Sequence, residues 1–161
     1  MRVGLGFDVH RFVFGRPLIL GGIEIPHDRG LDGHSDADVL IHALMDALLG
    51  AAALGDIGDH FPDTDPKYEG ISSVELLGYV CQLLADRGYR VINVDIMVLA
   101  EQPRLALFKS DMIHLLAREL QVTEADVSIK ATTMERMGFI GREEGIAAQA
   151  VALIDNGGCD G

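Results

Sequence analysis

Positive charge is scarce in this 161-residue chain: 13 Lys and Arg stand against 25 Asp and Glu, for a net charge of −12. That balance argues against nucleic acid or an anionic membrane as partner, because both reward clustered cationic side chains. An anionic ligand would need metal ions or local backbone N–H groups to offset the field. Cysteine is nearly absent: Cys81 falls in a helical pattern and Cys159 in a glycine-rich tail, with no CxxC spacing. Neither a disulfide frame nor a thiolate zinc site is indicated. No apolar run approaches the roughly 20 residues of a membrane span, and the N-terminus lacks a secretory apolar region. The expectation is a soluble, unexported, cytoplasmic bacterial protein, with a plastid stroma as the alternative if a transit peptide has been removed. Repeats and linkers are also missing. At 48% hydrophobic content the chain can bury a core as one domain over residues 1–156, with 157–161 left as a disordered tail.

The pattern of elements follows from periodicity. Residues 2–12 alternate loosely and read as a strand. Leu18-Ile19-Leu20 and Ile23-Glu24-Ile25, around Gly21-Gly22 and ended by Pro26, read as a hairpin. Residues 27–38 are irregular and feed a helix capped by Ser35 or Asp36, in which Val39, Leu40, Ala43, Leu44, Ala47 and Leu48 keep a helical period as far as Gly50. Residues 55–66 form a long acidic loop, either functional or a solvated connector. Ser72 or Ser73 caps a second helix that stops at Gly88, and residues 91–99 form an internal strand. Pro103 suits the first turn of a third helix carrying Leu105, Phe108, Met112, Leu115, Leu116 and Leu120. Residues 127–132 alternate as a strand and 138–145 form a turn. Residues 146–154 fit helix or strand and are read as strand. The sum is a mixed α/β domain, a mixed sheet covered by helices on one face.

Two features carry chemistry. A strand period of two puts Asp8 and His10 on one face with Cα atoms roughly 6.5–7 Å apart, close enough for both side chains to reach one ion. The helix entered near Ser35 offers unpaired N–H groups and a positive dipole end, with His34 beside them and His42 about two turns along. Asp8, His10 and His42 together make a carboxylate and two imidazoles, leaving a fourth tetrahedral position open as in catalytic zinc sites. The alternatives remain open at this point: solvated Asp8 and His10, and a core His42 bonded to Asp38 or Asp46 four residues away.

Gly6-Phe7-Asp8-Val9-His10, Gly33-His34-Ser35-Asp36-Ala37-Asp38, His42-Ala43, Gly55-Asp56-Ile57-Gly58, Phe61-Pro62-Asp63-Thr64-Asp65, Lys130-Ala131-Thr132-Thr133 and Gly138-Phe139-Ile140-Gly141-Arg142 resemble the 2-C-methyl-D-erythritol 2,4-cyclodiphosphate synthase family over nearly the whole chain. The resemblance implies a homotrimer with sites between subunits in the non-mevalonate isoprenoid route. The implied reaction converts 4-diphosphocytidyl-2-C-methyl-D-erythritol 2-phosphate to the cyclic diphosphate and CMP. It places Zn2+ on Asp8, His10 and His42, the first two also facing substrate, and a second divalent ion, Mg2+ or Mn2+, on Glu135. His34 and Thr133 become the catalytic pair, with His34 and Ser35 on phosphate. Asp56, Ile57 and Gly58 hold ribose, and Phe61, Pro62, Asp63, Thr64 and Asp65 lie along the substrate. The segment from Ala100 to Ala106, with Ala131 and Thr132, forms the cytosine pocket through backbone groups, and Arg104, which stands where a lysine is common, contacts phosphate. Phe139 and Arg142 resemble residues of a central trimer cavity that takes isoprenoid diphosphates in some members. Without the resemblance, Thr132 and Thr133 read as ordinary strand residues, and Phe139 and Arg142 as a turn and an interface ion pair. Two other activities would retain the metal triad: a trimeric isoprenoid-diphosphate-binding module and a zinc-dependent phosphoester hydrolase. Asp56, Thr133 and Glu135 favour cyclisation over both.

Overall fold

The computed structural model describes residues 1–157, so the tail expected over 157–161 lies, from residue 158 on, outside the described residues. Strand β1 (Arg2–Phe14) runs antiparallel to β7 (Gly145–Asp155), from Arg2 opposite Ile154 to Arg11 opposite Gly145. The span read as helix or strand is thus a strand, paired along its length. On the far side of β7 lies β5 (Arg90–Leu99), antiparallel to it, and then β6 (Val127–Thr132), parallel to β5. The opposite edge is β4 (Arg29–Leu31), three residues from the segment expected to be irregular, held antiparallel to the end of β1. The order is β4-β1-β7-β5-β6, and β2 (Leu18–Leu20) and β3 (Ile23–Ile25) form the separate expected hairpin.

Helix α1 (Val39–Ala51) is buried along almost its whole length against β1 and β7. Two glycines on β1 permit that contact. A Cβ on Gly4 would sit 1.9 Å from the Ala47 carbonyl oxygen, and one on Gly6 would sit 1.9 Å from that of Ala43. Real Cβ atoms do not approach so closely, so the strand and helix backbones touch only because both positions lack a side chain. Helix α3 (Ser73–Ala85) packs on α1, and α4 (Lys109–Leu120) packs on α3 and β6. The other face of the sheet carries Val3, Leu5, Phe7 and Val9 of β1 and Val151 of β7, all exposed. Helices therefore cover one face only. Among the described residues no helix is long and apolar enough to cross a membrane. Burial pushes the Cys81 thiol up to about 11, which suits a packing residue rather than a reactive one.

Four local expectations shift. The cap of α1 is Asp38, not Ser35 or Asp36, because Ala37 takes a left-handed φ of 59° and ends any helical turn before it. The Asp38 carboxylate accepts from Ile41 N of its own helix and from Gly21 N and Gly22 N of the β2–β3 turn, tying hairpin to helix. Complete burial pushes that carboxyl up to about 6 against the three donors. Helix α4 starts at Lys109, leaving Pro103 outside it: Leu105 is buried and its carbonyl accepts from Phe108 N in a separate turn. The acidic loop is not continuous coil either. It contains α2 (Ile57–His60), closed by an Asp56–Asp59 capping box, and a 3-10 turn at Pro66–Tyr68. The turn expected over 138–145 opens with a single helical turn, α5 (Gly138–Gly141).

Candidate metal centre and active site

Asp8 and His10 leave β1 on the same side, and α1 delivers His42 to them across the Gly4 and Gly6 contact. Asp8 Oδ2 lies 3.0 Å from His10 Nε2 and 3.1 Å from His42 Nδ1, and the two nitrogens are 3.2 Å apart. Zinc bonds of about 2.0–2.1 Å at tetrahedral angles would set ligand atoms about 3.3 Å apart, so this triangle has nearly the size of one tetrahedral face. The rest of each side chain is arranged to aim these atoms inward. Asp8 Oδ1 accepts from Val9 N at 2.8 Å, leaving Oδ2 for the triangle. His10 Nδ1 donates to the Asp32 carbonyl oxygen, so a neutral ring carries its lone pair on Nε2. His42 Nε2 faces the hydroxyls of Ser35 and Ser73 at 3.1 and 3.0 Å, which directs Nδ1 to the triangle. Three lone pairs aimed at one another need a proton or a cation between them, and the donor set fits a divalent metal. The residues Asp8, His10 and His42 are the group among the described residues that could hold one.

Electrostatics bind the triad together. Burial raises the Asp8 pKa, but hydrogen bonds and charge from His10 and His42 outweigh it and hold the carboxyl well below the usual range. Burial also opposes protonation of His10, and the hydrogen bond and charge of Asp8 overcome it and raise the pKa. The alternative for His42 as a core histidine is corrected here. The Asp38 carboxylate is occupied by the hairpin and helix N–H groups, and that of Asp46 accepts from Ile57 N at 2.9 Å, so neither carboxylate bonds the His42 ring.

The triad opens on a cavity of about 470 Å³, which His34, Ser35, Ile57, Gly58, Phe61, Pro62 and Asp63 also line. Asp56 sits at its margin as the cap of α2, with Oδ1 accepting from Asp59 N. Asp65 is tied to the site through its carbonyl oxygen, 3.1 Å from His34 Nε2, while Thr64 is exposed. Phe61 is wedged edge-on against Tyr68 with ring centroids 5.4 Å apart.

The remaining sequence candidates gather elsewhere. Ala100, at the end of β5, donates its N–H to the Thr132 carbonyl at the end of β6. Thr133 Oγ1 donates to Glu135 Oε1 at 2.9 Å, and Glu101 Oε1 accepts from Met134 N and Arg136 N to fold the turn between them. Arg104, Ala106, Ala131, Thr132, Thr133 and Glu135 are exposed. None of this group lines the metal cavity, since β7 and β5 lie between β1 and β6. Phe139 borders a second, open cavity of about 620 Å³ with Val9, Phe12 and Arg29, and Arg142 pairs with Glu144 at 2.6 Å nearby.

Several residues that shape the site gave no periodic signal. Arg16 donates one guanidinium N–H to the Gly33 carbonyl and another to the Ser35 carbonyl, clamping the segment that presents His34 and Ser35. Met45, Tyr68 and Leu76 line the cavity. Asp46, whose pKa burial and the nearby Asp56 and Asp8 charges raise, anchors α2.

Comparison with known proteins agrees with this geometry. The 2-C-methyl-D-erythritol 2,4-cyclodiphosphate synthase of Symbiobacterium thermophilum is 62% identical over 154 residues, which cover 96% of this chain and 98% of that protein. The bifunctional IspDF from Campylobacter jejuni superimposes with a TM-score of 0.92 at 46% identity, over 95% of this chain and 42% of that larger one. The IspF of Plasmodium falciparum, solved as a CDP complex, gives a TM-score of 0.83 at 31% identity, covering 95% of this chain and 94% of that one. The sequence model of the YgbB family matches residues 1–155. The chain belongs to the YgbB family, together with the cyclodiphosphate synthases it resembles.

Proposed function

We propose that the chain converts 4-diphosphocytidyl-2-C-methyl-D-erythritol 2-phosphate to 2-C-methyl-D-erythritol 2,4-cyclodiphosphate with release of CMP. It acts as a cyclising phosphorus–oxygen lyase of isoprenoid biosynthesis. The observation that carries this reading is the Asp8–His10–His42 triangle on the wall of a cavity rimmed by His34 and Ser35, in a chain 62% identical to a named synthase.

The substrate's own 2-phosphate is the nucleophile: its oxygen bonds the β-phosphorus while the bond to CMP breaks. No side chain need attack, and the work is positioning and charge compensation. Holding both ends of one molecule makes the step intramolecular, where orientation contributes on the order of 7–11 kcal/mol. Ser35 Oγ accepts from Ala37 N at 3.1 Å, which leaves its hydroxyl proton free to turn toward phosphate. His34 is steadied by Asp65 and presents its ring to the same space, and Thr133 meets the transferring group from the other half of the site. A metal held by Asp8, His10 and His42, Zn2+ in this proposal, supplies Lewis-acid polarisation and about one net positive charge in an acidic protein. Glu135, an exposed carboxylate beside Thr133, would hold a Mg2+ or Mn2+ ion, which takes few protein ligands and would offset diphosphate charge. Asp56, Ile57 and Gly58 hold ribose. The stretch from Phe61 to Asp65 covers the substrate, Ala100, Ala106, Ala131 and Thr132 receive cytosine, and Arg104 contacts phosphate. The CDP complex of the Plasmodium falciparum protein supports a cytidyl ligand.

The two half-sites lie on strands separated by β7 and β5, and an apolar sheet face stands open. Both features support a homotrimer in which each complete site takes the metal half from one subunit and the Thr133 half from another. Phe139 and Arg142 then border a central cavity for an isoprenoid diphosphate. A calorimetric titration of the metal-loaded trimer with farnesyl diphosphate tests that cavity, and absence of binding heat refutes it. A cytoplasmic bacterial location completes the reading. Phosphorus NMR of the purified protein with the cytidyl substrate tests the reaction: cyclic diphosphate plus CMP supports it. Ring-free phosphates would indicate a hydrolase, and unchanged substrate a binding module.

A further inference from the structure

We infer that Ser73 and Asp36 are positioning residues of the metal centre, forming a relay that fixes the tautomer of His42. The inference rests on the metal-binding reading of the triad. Ser73 is the first residue of α3 and is fully buried, with Oγ 3.0 Å from His42 Nε2. Its hydroxyl proton is committed, because Ser73 Oγ donates to Asp36 Oδ1. The oxygen can then only accept from His42, which requires the His42 proton on Nε2 and leaves the lone pair on Nδ1, the atom that faces Asp8 and His10. Asp36 is itself held at both ends. Its Oδ2 accepts from Ser73 N at 2.9 Å at the positive end of a 13-residue helix, and its own N–H donates to the Ile71 carbonyl at 3.0 Å. Ser35, the other hydroxyl near His42 Nε2 at 3.1 Å, has no such carboxylate and can donate or accept. It cannot dictate the tautomer, and Ser73 can.

The relay also sets where the site is anchored. His42 belongs to α1, Ser73 to α3 and Asp36 to the segment between Ser35 and the α1 cap, so one line of hydrogen bonds joins three parts of the chain at the metal. Gly70 N, just ahead of α3, donates to the His34 carbonyl at 2.8 Å. The far end of the substrate loop is thereby pinned to the same residues.

The test compares wild type with Ser73→Ala, Asp36→Asn and Ser72→Ala. Ser72 caps α3 through Val74 N but does not touch His42, so its variant controls for simple loosening of the helix. Zinc affinity is read by chelator competition, and the His42 tautomer of the zinc-free protein by long-range 1H–15N NMR. Ser73→Ala and Asp36→Asn are expected to weaken zinc binding about 10–100-fold and to replace a single Nε2–H tautomer by a mixture. Ser72→Ala is expected to keep wild-type affinity and tautomer. Wild-type affinity and tautomer in Ser73→Ala overturn the relay, as does an equal loss in Ser72→Ala; should Ser73→Ala not fold, Asp36→Asn decides in the same way. A wild type that takes up no zinc overturns the metal reading itself, a result distinct from equal zinc binding in wild type and variants.

Discussion

Replacing Gly6 by alanine should damage the fold and the metal centre by a single displacement. The new Cβ would stand 1.9 Å from the Ala43 carbonyl oxygen and 2.7 Å from Ala47 N, whereas ordinary contact begins at 3.4 Å. The first of these requires β1 and α1 to part by 3.4 − 1.9, or about 1.5 Å, since both clashing atoms are backbone and cannot rotate away. Ala43 follows His42 directly, and Gly6 is two residues from Asp8, so the same shift opens the 3.0–3.2 Å triangle. Metal sites tolerate ligand distances within about ±0.2 Å. Overpacking of this kind costs about 1–3 kcal/mol, a fall of roughly 2–12 °C in melting temperature for a chain of this size. Calorimetry of the zinc-free protein and zinc content by atomic absorption read the two effects separately. Gly78→Ala is the control: it lies in α3 with nothing within 4 Å of its Cβ, and it should stabilise by about 0.5–1 kcal/mol. A Gly6→Ala protein that keeps one zinc per chain and its melting temperature would refute the close-packing argument.

Three other outcomes are expected. The stabilisation given by a fixed zinc concentration should grow with pH: the raised His10 pKa favours the zinc-free fold below 6.5 and is lost as pH rises through the folded value, while zinc must displace that proton. A zinc-induced melting shift that is flat across this range contradicts the coupling. Asp38→Ala leaves Gly21 N, Gly22 N and Ile41 N without their acceptor, at about 1–3 kcal/mol for each buried donor, and a urea midpoint close to wild type would refute the tie between hairpin and helix. If the proposed trimer uses the open face, Leu5→Asp, at a position 61% exposed in the single chain, should leave only monomer in sedimentation velocity with the circular dichroism of the subunit intact; a variant that sediments like wild type removes the open face from the proposed interface.

Much of this was legible because burial imposes a period. Strand β5 falls where a largely apolar run places it, β6 and the hairpin where alternation and turn residues do, and α1 declares itself through its apolar spacing. Misplaced boundaries lie where a tertiary contact overrides local preference. Ser35 and Asp36 are good caps by type, but Asp36 is drawn to Ser73 and Ile71, and Ala37 turns left-handed, so the helix waits for Asp38. Pro103 suits a first turn by type, yet burial of Leu105 delays α4 to Lys109. The metal ligands illustrate the same limit. Spacing brings Asp8 and His10 to one face, but the meeting with His42 depends on Gly4 and Gly6, whose significance is invisible until a helix lies across them. Arg16 and Ser73 act through carbonyl oxygens and a hydroxyl from distant segments, which no period encodes.

The pairing of β1 with β7 sets an order of events for a chain made from its N-terminus. Residue 2 meets residue 154, and β7 lies between β1 and β5, so no continuous sheet exists until the final strand has been synthesised. Until then β1 has only the three-residue β4 beside it, with Val3, Leu5, Phe7 and Val9 in water on a strand short of its main partner. Closing a loop of this length is slow compared with local helix formation, so α1 and α3 can form first and wait. A nascent chain stalled before Gly145 would carry Asp8, His10 and His42 and still lack the strand that holds two of them in place.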